Sequence, residues 1–411
     1  MMGTSRITKV VQRLSSQDAH VRKQALQLLK DWRRDGLSFE EGCQAIEAAA
    51  GDWPEDDQGD CSQALVAAAL SHFNHGYDNL LVNFFSRISA NARWEIVHAL
   101  VGRGDEPAAR TYLRLVDSYF AAGILPSTPL AGFAKSEQAS TLLLPALLQR
   151  AGADLVGYDM HLFALHAAQA GWASRIILSR SSGSILEAYH RLRERMRRIE
   201  QPMIGDWIWN DDYLDDRAHA SLLLDFMSFL TGDAVVEALE GALASYDPRL
   251  QHFAVLSMVR QDRVVDTKVL EAVAASSEVR NYLYDGLASL HRLELFPARF
   301  ATQEAFAESD MVNWLIFPTE LERSPHEIEL MNTFDNDNAS LRYYLFRFRT
   351  HEPHWAAKSG WMAGLSGPFE VAAMPTTNAG GSTFSTFTVW DEKSPFEHFR
   401  EITELIGKPK T

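Results

Sequence analysis

Ser276-Ser277-Glu278-Val279-Arg280 opens a stretch in which Leu283, Leu287 and Leu290 follow Val279 at helical spacing. Steps of three and four mark one apolar face of an amphipathic helix. About thirty positions earlier, Asp247-Pro248-Arg249-Leu250 opens in the same way, and Phe253, Ala254 and Met258 continue its stripe. Near the start of the chain, Asp18-Ala19-His20-Val21-Arg22 leads into Ala25, Leu28, Leu29 and Trp32. All three openings place an acidic residue shortly before an aliphatic one, and two of them continue with Arg. Further stripes lie between: Trp94, Val97 and Val101, with His98 on the same face, and Ala109, Tyr112, Leu113, Val116 and Phe120 after Pro107. A helix pair with one apolar stripe cannot bury it alone, so neighbouring pairs must share a continuous core.

An acidic residue and an Arg flanking an inter-helix turn, recurring with this period, resemble the turn and second helix of HEAT-type repeats. The resemblance is carried by residues 18–22 and 247–280, is degenerate between about 40 and 240, and is absent after about 295. It implies a HEAT-like (armadillo-type) α-helical repeat solenoid over residues 1–298, with an extended concave surface suited to binding. An irregular helical bundle is the alternative packing of the same helices.

The pattern changes near Leu295-Phe296-Pro297. Tyr344, Phe346 and Phe348 alternate with Tyr343, Leu345, Arg347 and Arg349, a period of two that marks a strand with one apolar and one partly cationic face. Trp361, Ala363 and Leu365 predict a second strand, interrupted by Gly367-Pro368, and Thr383 to Trp390 a third. Asn378 to Ser382 reads as a turn. Ser394, Pro395 and Glu397 spell a capping box, with Phe399, Ile402 and Ile406 on the inner face of the helix that follows. Residues 299–411 are therefore expected to form a small α+β domain after the helical one.

Hydrophobic residues make up 46% and charged residues 23% of the 411 residues, a globular composition that excludes disorder as the dominant state. No run of about eighteen apolar residues predicts a membrane span, and the N-terminus lacks the apolar stretch of a secretory signal. Only Cys43 and Cys61 occur, too few for a disulfide framework, so a cytoplasmic location is expected. The formal charge of −15, from 39 Lys and Arg against 54 Asp and Glu, disfavours nucleic acid, whose binding draws on positive charge. It suits a protein partner with a basic surface, steered by the opposite charge.

Phosphate loops, dinucleotide fingerprints, the Gly-x-Ser-x-Gly elbow, His-Glu-x-x-His and paired zinc cysteines are all missing, so no cofactor is implied. His72 and His75, and His351 and His354, have metal-compatible spacing, but zinc needs further ligands from elsewhere. Glu95 with His98 and Glu187 with His190 match the spacing of di-iron bundles, without the two extra carboxylates those need. Arg191, Arg193, Arg195, Arg197 and Arg198 crowd one helix, where Arg191, Arg195 and Arg198 line a flank suited to phosphate or carboxylate. Asp211, Asp212, Asp215 and Asp216 follow closely enough to neutralise it. Trp207 and Trp209, beside a turn, read either as a binding hot spot or as a core plug. Trp355 and Trp361, with nearby glycines, outline either a ligand groove or an aromatic lid, and Arg347 and Arg349 are candidate anion contacts. The leading expectation is a protein-binding scaffold or adaptor, including an inhibitor or immunity-type protein for a basic partner. A metal-dependent hydrolase working through the histidine pairs and a nucleic-acid-binding HEAT-like protein are the alternatives.

Overall fold

A computed structural model describes residues 6–54, 59–150, 157–201, 205–318, 320–336, 340–350, 360–371, 383–386 and 390–406. Among the described residues, sixteen α-helices precede a four-stranded antiparallel sheet, and one helix follows it. By internal contacts the chain divides into two units, Met1–Arg191 and Leu192–Thr411.

The first unit holds α1 (Arg6–Leu14), α2 (Ala19–Asp35), α3 (Phe39–Ala49), α4 (Cys61–Leu70) and α5 (Asp78–Phe84). It continues with α6 (Ala90–Arg103), α7 (Glu106–Tyr119), α8 (Glu137–Arg150), α9 (Gly157–Gln169) and most of α10 (Arg175–Ile199), within which the boundary falls. Side-chain oxygens start several of these helices by accepting a backbone N–H that the first turn leaves unpaired. Asp18 caps α2, Ser38 and Glu41 form a reciprocal box at α3, and Asp60, Ser89 and Asp105 cap α4, α6 and α7. The α6 stripe is Ala92, Ile96, Val97, Leu100 and Val101, which corrects the expected face. Trp94 and His98 lie on its exposed flank, stacked on each other with ring centroids 4.7 Å apart.

The second unit begins with α11 (Asp211–Met227), α12 (Asp233–Leu243), α13 (Pro248–Arg260), α14 (Thr267–Ala275), α15 (Arg280–Ser289) and α16 (Gln303–Ile316). Helix α11 packs on α13, α13 on α15 and α15 on α16, while α12 and α14 pair with the helices that follow them. Val255, Leu270, Val273, Val279, Leu283, Leu287 and Phe306 form one buried core among these helices.

Side-chain bonds link neighbouring helices in both units. In the first unit they include Arg6–Glu41, Gln63–Glu95, Arg150–Asp117 and Ser184–Leu148, and in the second Arg217–Asp247, Ser257–Leu224 and Ser309–Ser277. These seven span 30 to 36 residues, whereas Arg280–Ala305, Arg103–His75 and Tyr119–Val82 span 25, 28 and 37. Among the described residues, no helix is long and apolar enough to cross a membrane.

The sheet runs in the order β1 (Glu327–Asn336), β2 (Leu341–Arg349), β3 (Met362–Glu370) and β4 (Phe384–Thr386). Both faces are covered. Tyr344, Phe346, Phe348, Met362 and Phe369 meet Ala307, Met311 and Leu315 of α16, whereas Leu345, Ala363 and Leu365 meet Trp390 and, from α17 (Pro395–Ile406), Ile402. At Gly364 a Cβ would fall 2.5 Å from the Met311 sulfur, so the bare backbone is what lets α16 approach β3. The expected capping box starts α17: the Ser394 backbone donates to Glu397 at 2.8 Å, and the Glu397 backbone donates to the Ser394 hydroxyl.

Three strand expectations are corrected. Strand β1 was not anticipated, because a bulge between Leu330 and Asn332 breaks its alternation: Ile328 and Leu330 face α16, whereas Phe334 stacks on Phe399 of α17. Strand β3 does not stop at Gly367-Pro368 but runs to Glu370, its register shifting opposite Arg342 and Tyr344, with Gly367 at a φ of 134°. Strand β4 is short, and Trp390 begins a single turn of 3₁₀ helix rather than ending a strand; residues 387–389 lie outside the described residues.

Candidate functional site

The second unit carries a cleft of about 370 Å³ where α13, the start of α15 and the end of α16 converge. Local sequence rules place its walls. Asp247 caps α13 by accepting from the Arg249 backbone at 2.8 Å, and Pro248 fits the first helical position, where its missing N–H costs nothing. Leu250 and Ala254 then turn into the core, which leaves Arg249, His252 and Phe253 on the cleft side. On α15 the stripe Val279, Leu283 and Leu287 is buried, so Tyr282, one position off it, projects outward and is 55% exposed. On α16, Met311 and Leu315 face the sheet, which puts Asn313 and Ile316 on the other flank, followed by Phe317, itself 58% exposed.

Behind this cleft lies a buried ion network. Arg217 of α11 donates from Nε and a terminal nitrogen to the two oxygens of Asp247, at 2.8 and 3.0 Å, and to Glu278 at 2.7 Å. Tyr213 donates its hydroxyl to Asp247 at 3.0 Å. The fork geometry of guanidinium allows one side chain to hold two carboxylates, from the α12–α13 turn and the α14–α15 turn. Burial pushes the Glu278 carboxyl up, and the charge of Arg217 pulls it back. Burial and then the Asp247 charge hold the Tyr213 phenol far above its usual range.

His252 is the unusual group in the cleft wall. It is 5% exposed, and its Nε2 is buried with no hydrogen-bond partner among the described residues. Burial pushes its imidazole down to about 4, against a hydrogen bond to the Tyr282 backbone and with help from the nearby Arg249 charge. At neutral pH the ring is therefore uncharged. No serine, threonine or cysteine lines the cleft for it to activate. The cleft thus has aromatic and aliphatic walls, with the His252 Nε2 buried and without a hydrogen-bond partner among the described residues.

The residues singled out from sequence lie elsewhere. In the arginine-rich helix α10, Arg191 pairs with Glu187, Arg193 with Glu200, Arg195 with both oxygens of Asp216, and Arg198 with Glu194. Trp207 meets Tyr213 edge-on with centroids 4.8 Å apart, and Arg217 lies 5.8 Å from the Trp209 ring, so both tryptophans pack beside the ion network. Arg347 pairs with Glu329 and Arg349 with Glu327 on the adjacent strand, and both guanidiniums lie over Trp361, at 4.3 and 4.7 Å. Trp355, His351 and His354 lie outside the described residues.

His72 fills the space that Gly36 leaves by having no side chain, while His75 bonds Arg103 at 2.8 Å. His98 is exposed rather than buried, and Glu95 pairs with Arg33 and Gln63. Among the described residues, no group of three or more His, Cys, Asp or Glu side chains is arranged to hold a metal ion.

Sequence reasoning used Arg249 and Glu278 only as turn markers and put Phe253 in the core, where the structure has it half-buried in the cleft. It passed over His252, Tyr282, Asn313 and Phe317. One signal was available: Tyr282 is an aromatic beside, not on, the Val279–Leu283–Leu287 stripe. The chain matches no family model, no curated protein and no solved structure. The class defined by fold and site is thus a packed-helix protein with a C-terminal sheet and a cleft in its second unit.

Proposed function

We propose that this chain is a protein-binding scaffold whose helices stack as HEAT-like repeats, and that the α13–α15–α16 cleft is its partner site. The observation that carries the proposal is the pair of exposed aromatics, Tyr282 and Phe317, on the walls of one cleft. The repeat arrangement draws support from several inter-helix side-chain bonds spaced 30 to 36 residues apart, the spacing that contacts one repeat away would have. In this arrangement the sheet domain caps the last helices: Phe306 of α16 enters the helical core, and Ala307, Met311 and Leu315 enter the core beneath the sheet.

The formal charge of −15 favours a partner with a basic surface, as an inhibitor or immunity-type protein would have. The test is a tagged pull-down from native lysate at low and high salt, comparing the wild type with the Tyr282→Ala/Phe317→Ala double variant. Loss of a stoichiometric, salt-sensitive partner in the variant supports the proposal, with affinity down roughly 30-fold or more. A partner held equally by both proteins would move the site elsewhere. Retention independent of salt would remove the electrostatic part.

A further inference from the structure

Resting on the protein-binding reading above, we propose that this cleft takes an acidic side chain of the partner protein, a glutamate or aspartate flanked by apolar residues, with Arg249 as its counter-charge. The first support is which charges of the cleft remain open to a ligand. Arg249 and Glu278 both line it. The Glu278 side chain is only 11% exposed and already accepts from Arg217 at 2.7 Å. Asp247, behind it, is fully buried and accepts from both Arg217 and Tyr213. Carboxylates that are desolvated and already paired have little left to offer an incoming cation. Arg249 is the opposite case: it is exposed, and no described residue forms an ion pair with it.

The second support is position. The Arg249 charge acts on both Glu278 and His252, which keeps its guanidinium at the cleft it lines. A carboxylate is the group whose two oxygens match the guanidinium fork. The third support is the walls. The exposed rings of Tyr282 and Phe317, with Phe253, Ile316 and Pro318, give apolar contact in a cavity of about 370 Å³. An acidic residue with apolar neighbours can therefore set its carboxylate on Arg249 and its neighbours on the rings. The formal charge of −15 does not oppose this. Net charge steers encounter through solvent, whereas contact inside the cleft is decided by the charge left accessible there.

The test uses the full chain with three tripeptide probes, acetyl-Phe-Glu-Phe amide and its counterparts with Gln or Lys at the centre, titrated by ligand-observed NMR. At about 10 mM salt the Glu peptide is expected to bind about threefold tighter than the Gln peptide, the worth of one exposed ion pair, and the Lys peptide weakest. At about 1 M salt the preference should vanish. Arg249→Gln should bring the Glu-to-Gln ratio close to one, and Arg249→Lys should restore part of it. The side chain is exposed and only its backbone N–H takes part in the α13 cap, so both variants are expected to fold.

Equal binding of the Glu and Gln peptides, a preference that survives Arg249→Gln, or no binding by any of the three would overturn the inference. Tightest binding by the Lys peptide would also overturn it, since the cleft would then follow Glu278. These outcomes separate from the scaffold proposal. A partner lost in the Tyr282→Ala/Phe317→Ala variant but held by Arg249→Gln as tightly as by the wild type would leave the site standing and remove only its acidic anchor. A partner held equally by the Tyr282→Ala/Phe317→Ala variant would remove the site itself.

Discussion

Two buried groups in the second unit titrate with opposite sign, and Asp310→Asn should separate them. Asp310 on α16 accepts from Asn281 at 2.6 Å through one oxygen; its other oxygen is buried without a partner among the described residues. Burial pushes its carboxyl up to about 7, against the Asn281 hydrogen bond and with help from the charge of Asp285. In the unfolded chain an Asp titrates near 4. Between pH 4 and 7 the folded state therefore holds the proton more tightly, and stability falls as pH rises. His252, pushed down to about 4, does the reverse. The unfolded chain takes up its proton first as pH falls below about 6.5, so this group's contribution to stability grows from pH 4 to 6.5.

Between pH 4.5 and 7 the Asp310 contribution amounts to a loss of about 3 kcal/mol, and that of His252 to a gain of roughly 2 kcal/mol. The two nearly cancel. Asp310→Asn keeps an acceptor for Asn281 and removes only the titration. Its stability relative to wild type should then rise by about 3 kcal/mol across that range. The assay is urea unfolding of both proteins at closely spaced pH values, and the difference between them cancels every group they share. A variant-minus-wild-type difference that is flat with pH would refute the reasoning.

Other outcomes follow from the same structure. Arg217→Met should destabilise the second unit by about 3–5 kcal/mol in urea unfolding, because it leaves Asp247 and Glu278 buried without their cation. Arg217→Lys should rescue little, since one ammonium cannot reproduce the fork. Gly364→Ala should cost about 1–3 kcal/mol, measured as a lowered urea midpoint, as Met311 is forced from its place over β3. Removing residues 299–411 strips α16 from Val279, Leu283 and Leu287 and should yield an aggregating chain in analytical ultracentrifugation. A soluble, cooperatively folded truncation would show that the cap is dispensable.

The helices around residues 247–290 were legible because each buries a single stripe, and Leu250, Ala254, Met258, Val279, Leu283 and Leu287 are indeed buried. Strand β2 was legible from its alternation, and α17 from a capping box whose chemistry is local. Strand β1 was hidden by its bulge, since period-two reading assumes an unbroken ladder. The cleft was hidden for a different reason. What distinguishes His252 is a missing partner, and that depends on three helices meeting in space rather than on any spacing within one. The acidic run after the arginine-rich helix was read as able to neutralise it, and Asp216 does hold Arg195, but only geometry could assign that pairing.

Adjacent residues of α16 belong to different cores: Phe306 to that of the helices, Ala307 to that beneath the sheet. One rigid rod thus serves as a shared wall, and neither core can open without stripping atoms from the other. The last helices and the strands should therefore behave as a single cooperative block in native-state hydrogen exchange, with amides of α15 and β2 opening at a common free energy. A denaturing fluctuation would meet no soft seam between the two cores, although the chain changes there from helix to strand.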